Sequence, residues 1–284
     1  MPELPEVEVL VRHLAPLLAG RRIRGVEIHR ERVIQPETAE TFGRALTGAR
    51  FTSLTRRGKY LVFGLRAPGT GREFPLLGHL GMTGRMFLLP VRAELPRHCA
   101  VALDLGQHRF VFEDTRYFGR LSLALDALDG LGPEPLSRDF TPAALAAALR
   151  RSRQAIKVKL LDQHVVAGVG NIYASEALFR ARLSPRRGAG RLQSAEIRRL
   201  HAAIRVVLAE AIRFGSTVPL DWVGTAGRDR LFYYGRAAGA ADYYEERLAV
   251  YDRAGLPCRR CGTVIRRLVQ AGRSTFYCPH CQRA

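Results

Sequence analysis

The chain has 284 residues, enough for a sizeable core and for two domains of ordinary size. Hydrophobic residues make up 47% and charged residues 25%, the profile of a soluble globular protein, and no apolar run reaches the ~18–20 residues of a membrane span. Its 45 basic against 26 acidic residues leave a net charge of +19, so a polyanion is the expected partner, with nucleic acid first, although ribosomal proteins and proteins touching anionic lipid are also basic.

The opening MPELPEVEVLVRHLAPLLAG is acidic before it is apolar, whereas a signal peptide opens basic and a transit peptide avoids acids, so a cytoplasmic, nucleoid-associated protein is expected. Residues 5–19 are predicted as a helix, with Val7, Leu10, Val11, Leu14, Leu17 and Leu18 on one side, Pro5 near its start and Gly20 past its end. From about 22 to 125 the chain changes to short β-prone runs, RIRGVEIHR, KYLVFGL, RMFLLP, CAVALDL, RFVFED and RLSLAL, the density of a sandwich or barrel. LGPEPLSRDF holds two prolines and no periodicity and reads as an inter-domain linker. Helical apolar spacing follows at 142–151, 154–164, 172–182 and 194–214. A loop-rich segment, 215–247, leads to a small cysteine-containing tail. The expected architecture is α+β: an N-terminal helix on a β-sandwich (1–131), a linker (132–140), a helical domain (141–247) and a zinc ribbon (248–284).

The tail carries Cys258-x2-Cys261-x16-Cys278-x2-Cys281. Two CxxC knuckles at this separation can place four thiolates around one Zn²⁺ at the tips of a hairpin through VIRRLVQ and STFYC. Disulfides are the alternative, which a cytosolic chain disfavours. With four protein ligands the metal has no open position, so its role is structural. Cys99 is left over and reads as a buried thiol. Arg259, Arg260, Arg266, Arg267 and Arg273 stud the ribbon with guanidinium groups suited to phosphates.

Ala167-Gly168-Val169-Gly170-Asn171-Ile172-Tyr173 lies between two helical segments. Asn171 is expected to cap the second while the first amides face a phosphate, and Lys157 on the preceding helix would help pin it. The bare alternative is a tight turn with nothing bound. Only Lys59, Lys157 and Lys159 are lysines, so each marks either a place where a compact ammonium is wanted or chance on a solvated surface.

The amino terminus is the third signal. Removal of Met1 before the small Pro2 leaves a secondary amine whose pKa, ~7.7–8.0 for an α-amine, keeps a useful fraction nucleophilic near neutrality. Glu3 and Glu6 stand close enough to move protons for it. Pro and Glu also simply start helices well.

Together these residues resemble the formamidopyrimidine-DNA glycosylase and endonuclease VIII family, essentially end to end. The likeness is carried by MPELPE, RRGKYL around Lys59, HLGMTG around His79 and Met82, DTRYFG at 114–119, VVAGVGNIYASEALF and GRSTFYCPHCQ. It implies a bifunctional DNA glycosylase and AP lyase of base excision repair, acting as a monomer on double-stranded DNA with oxidised bases or abasic sites, held in a cleft between the domains. The resemblance makes Pro2 the nucleophile at C1′, Glu3 the acid/base residue and Glu6 its support. Lys59, Asn171 and Arg273 become phosphate-binding residues around the flipped nucleotide, with His79, Lys157 and Gly170 beside DNA. Met82, Arg116 and Phe118 become the residues that fill the void.

Leu4 argues for the oxidised-purine branch (8-oxoguanine, formamidopyrimidines), since the oxidised-pyrimidine branch usually has Gly there. A non-catalytic DNA binder is the rival of another class, opposed by the intact Pro2-Glu3 pair. Tyr117 stands where the family usually has a second basic residue, and the lesion-covering loop near 215–236 departs from the usual pattern.

Overall fold

The computed structural model describes residues 2–214 and 248–283, which fall into two compact units, 2–129 and 130–214 with 248–283. The α+β architecture expected from the sequence is borne out. In the first unit, helix α1 (Leu4–Leu18) carries proline in its first turn, where the missing N–H has no helical partner to lose. Val7, Leu10, Leu14 and Leu18 recur on its inner face and are almost wholly buried. Each contributes roughly 1.5–3 kcal/mol by leaving water.

Two four-stranded antiparallel sheets follow, made from β1 (Gly25–Ile28), β2 (Arg50–Arg57), β3 (Tyr60–Arg66), β4 (Glu73–His79), β5 (Gly84–Pro90), β6 (Cys99–Asp104), β7 (His108–Asp114) and β8 (Arg120–Ser122). Their orders are β1-β6-β7-β5 and β2-β3-β4-β8. Phe63 of β3 packs its ring 6.0 Å from Phe51 of β2 and 5.6 Å from Phe110 of β7, so one aromatic cluster joins both sheets. Helix α2 (Ala39–Leu46) lies where only strands were expected. It is two turns long and signalled by just Phe42 and Leu46, four residues apart and both buried, behind a Thr38 cap.

The second unit contains α3 (Pro142–Leu149), α4 (Ile156–Leu160), α5 (Asn171–Arg180) and α6 (Ser194–Phe214), then the hairpin β9 (Arg266–Gln270) and β10 (Arg273–Tyr277). Helix α4 is shorter than the predicted 154–164. Asp162 explains this, because its carboxylate accepts the His164 amide at 3.0 Å and turns the chain out of the helix. Segment 132–140 is tied down: the Arg205 guanidinium donates to Pro135 O and Ser137 O, both at 2.8 Å. No helix among the described residues is long and apolar enough to cross a membrane.

Candidate active site and nucleic-acid interface

The start of α1 is built from charged residues that the fold buries. Glu3 and Glu6 are 2% and 1% exposed. Glu3 N donates to Glu6 Oε2 at 2.7 Å and the two residues form a capping box, so the helix-starting role open in the sequence is realised here. That role keeps a carboxylate fixed beside Pro2. α1 runs antiparallel to β2: Gly20 N donates to Phe51 O at 2.9 Å at one end, and Arg56 pairs with Glu8 at 2.8 Å near the other. The start of α1 therefore lies toward the β2–β3 turn, where Gly58 takes a positive φ of 57° and Lys59 follows, 8% exposed.

His79, at the end of β4, is paired with Tyr60 on one side and Arg120 on the other. Its Nδ1 accepts the Gly81 amide at 3.1 Å, which leaves the proton on Nε2. Burial first, then the charges of Lys59 and Arg120, push its pKa down to about 4, so the imidazole is neutral near pH 7. With Gln35, Pro36, Tyr60, Arg120 and Ser122 it lines a cavity of about 280 Å³.

Met82, Arg116 and Phe118 come from two different turns and meet at the surface. Met82 and Phe118 are each 42% exposed. Arg116 Nη1 lies 3.4 Å from Met82 Sδ, and its guanidinium sits 4.6 Å over the Phe118 ring. Two exposed apolar side chains and a cation are thus gathered at one point of the surface.

In the second unit the expected phosphate site is assembled differently from the sequence reading. Gly170, not Asn171, is the N-cap of α5. Asn171 is the first helical residue, and its side chain turns instead to Lys157 Nζ and, through Nδ2 at 3.0 Å, to Ser274 O. Lys157 is completely buried, with its ammonium on Asn171 and 3.4 Å from Ser274 O. The buried Lys157 therefore fixes the Asn171 side chain at the start of α5. Ser274 is the second residue of β10 and directly follows the exposed Arg273, so these contacts bring the start of that strand next to Asn171. The hairpin turn is tight: Ala271 and Gly272 have φ of 47° and 71°, a two-residue turn that suits strand twist. Lys159, in contrast, pairs with Asp162 at 2.7 Å.

The four ribbon cysteines place their sulfurs within 4.8 Å of one another. Cys258–Cys281, Cys261–Cys278 and Cys261–Cys281 are separated by 4.0, 3.5 and 3.4 Å. A tetrahedron with Zn–S of ~2.3 Å has edges of about 3.8 Å, so the cluster fits one structural Zn²⁺. Amides of Arg260 and Cys281 approach Cys258 Sγ and Cys278 Sγ at 3.4 Å, the knuckle contacts that stabilise thiolates. Cys99 is separate and buried in the sandwich, where burial and the charges of Glu27 and Glu113 push its thiol up to about 11.

Residues 1–121 match the formamidopyrimidine-DNA glycosylase N-terminal domain, 131–220 the formamidopyrimidine-DNA glycosylase H2TH domain, and 255–284 the zinc finger found in FPG and IleRS. The chain belongs to the formamidopyrimidine-DNA glycosylase family. A formamidopyrimidine-DNA glycosylase of Chloroflexus aurantiacus is 43% identical over 289 residues, covering 99% of this chain and 98% of that one. The Lactococcus lactis FPG in complex with DNA containing Fapy-dG has 31% identity and a TM-score of 0.85, covering 99% of this chain and all of that one. The same enzyme with abasic-site DNA has 32% identity, a TM-score of 0.85 and equal coverage.

Within this DNA glycosylase of the formamidopyrimidine-DNA glycosylase family, two structural carboxylates escaped sequence reasoning. Asp114 is fully buried and accepts from Thr83 Oγ1 at 2.5 Å, Arg116 N at 3.1 Å and Gly119 N at 2.8 Å. It thereby fastens the turn bearing Met82 to the loop bearing Arg116 and Phe118. The two backbones nearly touch, since a Cβ on Gly81 would lie 2.6 Å from Gly119 N. Glu176 of α5 accepts the amides of Ala249, Val250 and Tyr251 at 2.8–2.9 Å and docks the start of the ribbon segment on the helices. Both are acids inside family motifs, DTRYFG and NIYASEALF, but nothing local announces their partners. The lesion-covering loop expected near 215–236 lies outside the described residues.

Proposed function

We propose that this enzyme excises oxidised purines, 8-oxoguanine and formamidopyrimidines, from double-stranded DNA and then cleaves the strand as an AP lyase. The observation that carries the reading is the pairing of an N-terminal secondary amine with a buried carboxylate. Pro2 directly precedes Glu3, whose side chain is 2% exposed and held by the helix start.

The Pro2 nitrogen, once Met1 is removed, attacks C1′, the bond from C1′ to the base breaks with its electron pair leaving on the base, and the proton lost from the proline nitrogen goes to the departing base. Glu3 donates a proton as the sugar ring opens, which converts the C1′–N bond to an iminium. Loss of a C2′ proton then expels the 3′ phosphate, and a second elimination expels the 5′ phosphate. Glu6 orients Glu3 through their shared capping contacts. Lys59, Asn171 and Arg273 hold backbone phosphates, His79 and Gly170 lie beside DNA, and Lys157 stiffens Asn171. Met82, Arg116 and Phe118 fill the space of the extruded nucleotide, whose unstacking costs a few kcal/mol.

In this reading residues 1–131 carry the chemistry, while 141–247 and the ribbon 248–284 grip the duplex. The net charge of +19 suits work on the nucleoid in the cytoplasm.

Borohydride reduction on abasic-site DNA tests the mechanism. Protein with a free Pro2 is expected to be trapped covalently, and protein with one residue added before Pro2 is not, because acylation delocalises the attacking lone pair. Strand cleavage at the native rate by the extended protein would overturn the role of Pro2. Comparing excision of paired purine and pyrimidine lesions tests the substrate class.

A further inference from the structure

The exposed surface around Phe118 holds more cations than the motifs account for. Arg30 and Arg32 reach it from the segment between β1 and β2, at the start of a single 3-10 turn, Glu31–Ile34. Arg30 places its guanidinium 5.2 Å over the ring of Tyr117, and Arg32 lies 5.9 Å over the ring of Phe118. Arg116 occupies the same Phe118 ring at 4.6 Å. Three guanidinium groups from two distant stretches of sequence thus crowd about two adjacent aromatic rings.

Such crowding of like charge is unfavourable unless a counter-charge is present. None is supplied locally: among the described residues Arg30 and Arg32 form no ion pair, and the Arg30 side chain donates only to the neighbouring His29 carbonyl at 2.8 Å. Both side chains are exposed. Tyr117 is a fixed platform and not a loose side chain. It takes a left-handed φ of 52°, rests against the sandwich core, and sets its hydroxyl 3.5 Å from His98 Nδ1. A guanidinium stacked on a ring keeps its N–H edge pointing outward and has little rotamer freedom left to lose on binding. That is the arrangement for gripping phosphate oxygens next to an aromatic wedge, where a kinked duplex turns its backbone toward the protein.

We infer that Arg30 and Arg32 are DNA-backbone contacts, forming an arginine rim beside the Met82–Arg116–Phe118 wedge, on the platform of Tyr117. The inference rests on the DNA-binding reading above. Its partner is nucleic acid phosphate, and because backbone contacts carry no base information, the rim adds affinity without lesion preference.

The test is the salt dependence of binding to a duplex containing a non-cleavable abasic analogue, measured with the full chain. R30A and R32A are each expected to flatten the slope of log K against log salt by about 0.9, and the double variant by about twice that. R30K, which keeps the charge but not the planar stack, should retain the slope and bind several-fold more weakly. Wild-type protein with a steep slope that R30A/R32A leaves unchanged overturns the rim while leaving the DNA reading intact. A wild-type protein that binds duplex with no salt dependence overturns the DNA reading itself.

Discussion

At the scale of single residues, the structure gives buried acids and bases their meaning. Asp114 holds two turns together with three hydrogen bonds, so D114N, which swaps an acceptor oxygen for a donor group, removes at least one of them. Stability should fall by about 1–3 kcal/mol. With Met82, Arg116 and Phe118 as the proposed wedge, excision from duplex should fall by about an order of magnitude, for ~1.4 kcal/mol of lost positioning. Cleavage of single-stranded abasic DNA, which needs no wedge, should change little. Equal losses on both substrates would show that Asp114 serves the chemistry and not the wedge.

His79 makes a prediction about acid. Its folded pKa of about 4 lies below its ordinary 6.5, so between those values the unfolded chain takes up a proton that the folded chain refuses. The site's contribution to stability is complete above about 6.5 and disappears as the pH falls toward about 4. Urea midpoints at pH 7 and pH 5 should therefore converge for H79Q relative to wild type. Parallel shifts in the two proteins would exclude His79 as an acid-sensitive group.

At the scale of elements, the zinc ribbon is a small appendage with a borrowed core. Cys258, Ile265, Phe276 and Cys278 pack with Val250 and with Phe179 of α5. Gln282 donates to Leu183 O at 3.0 Å and accepts from Cys278 N at 2.9 Å, so the second knuckle is pinned to the helical unit. Metal binding supplies much of such a module's folding free energy. Chelation, or C258A, should strip hydrogen-exchange protection from 255–283 and weaken DNA binding, while the strands of the sandwich stay protected. Loss of protection in β3 and β7 on chelation would show that the ribbon supports the whole chain.

At the scale of the molecule, the first unit depends on a core that neither sheet could form alone. F63A removes the ring that contacts Phe51 in its own sheet and Phe110 in the other, and should cost ~3–5 kcal/mol in urea unfolding. A cost below about 1 kcal/mol would mean that the site collapses and the cluster is not the joint between the sheets.

What the sequence determined by itself is what depends on local spacing and chemistry. The period of α1, the density of short strands, the CxxC pairs and the proline-glutamate terminus are each written within a few residues, and the family motifs add the rest of the candidate site by position. What only the tertiary structure decided depends on partners far apart along the chain. Lys157 looks like a surface cation until Asn171 and Ser274 close over it. Asn171 looks like a cap until Gly170 takes that place. Tyr117 stands out in the sequence as a missing cation, but that Arg30, 87 positions earlier, covers its ring is a consequence of how the 3-10 turn and the β7–β8 loop are packed. Burial and pairing between distant segments are properties of the packed chain, because a side chain's solvent and its neighbours exist only after the backbone has brought them together.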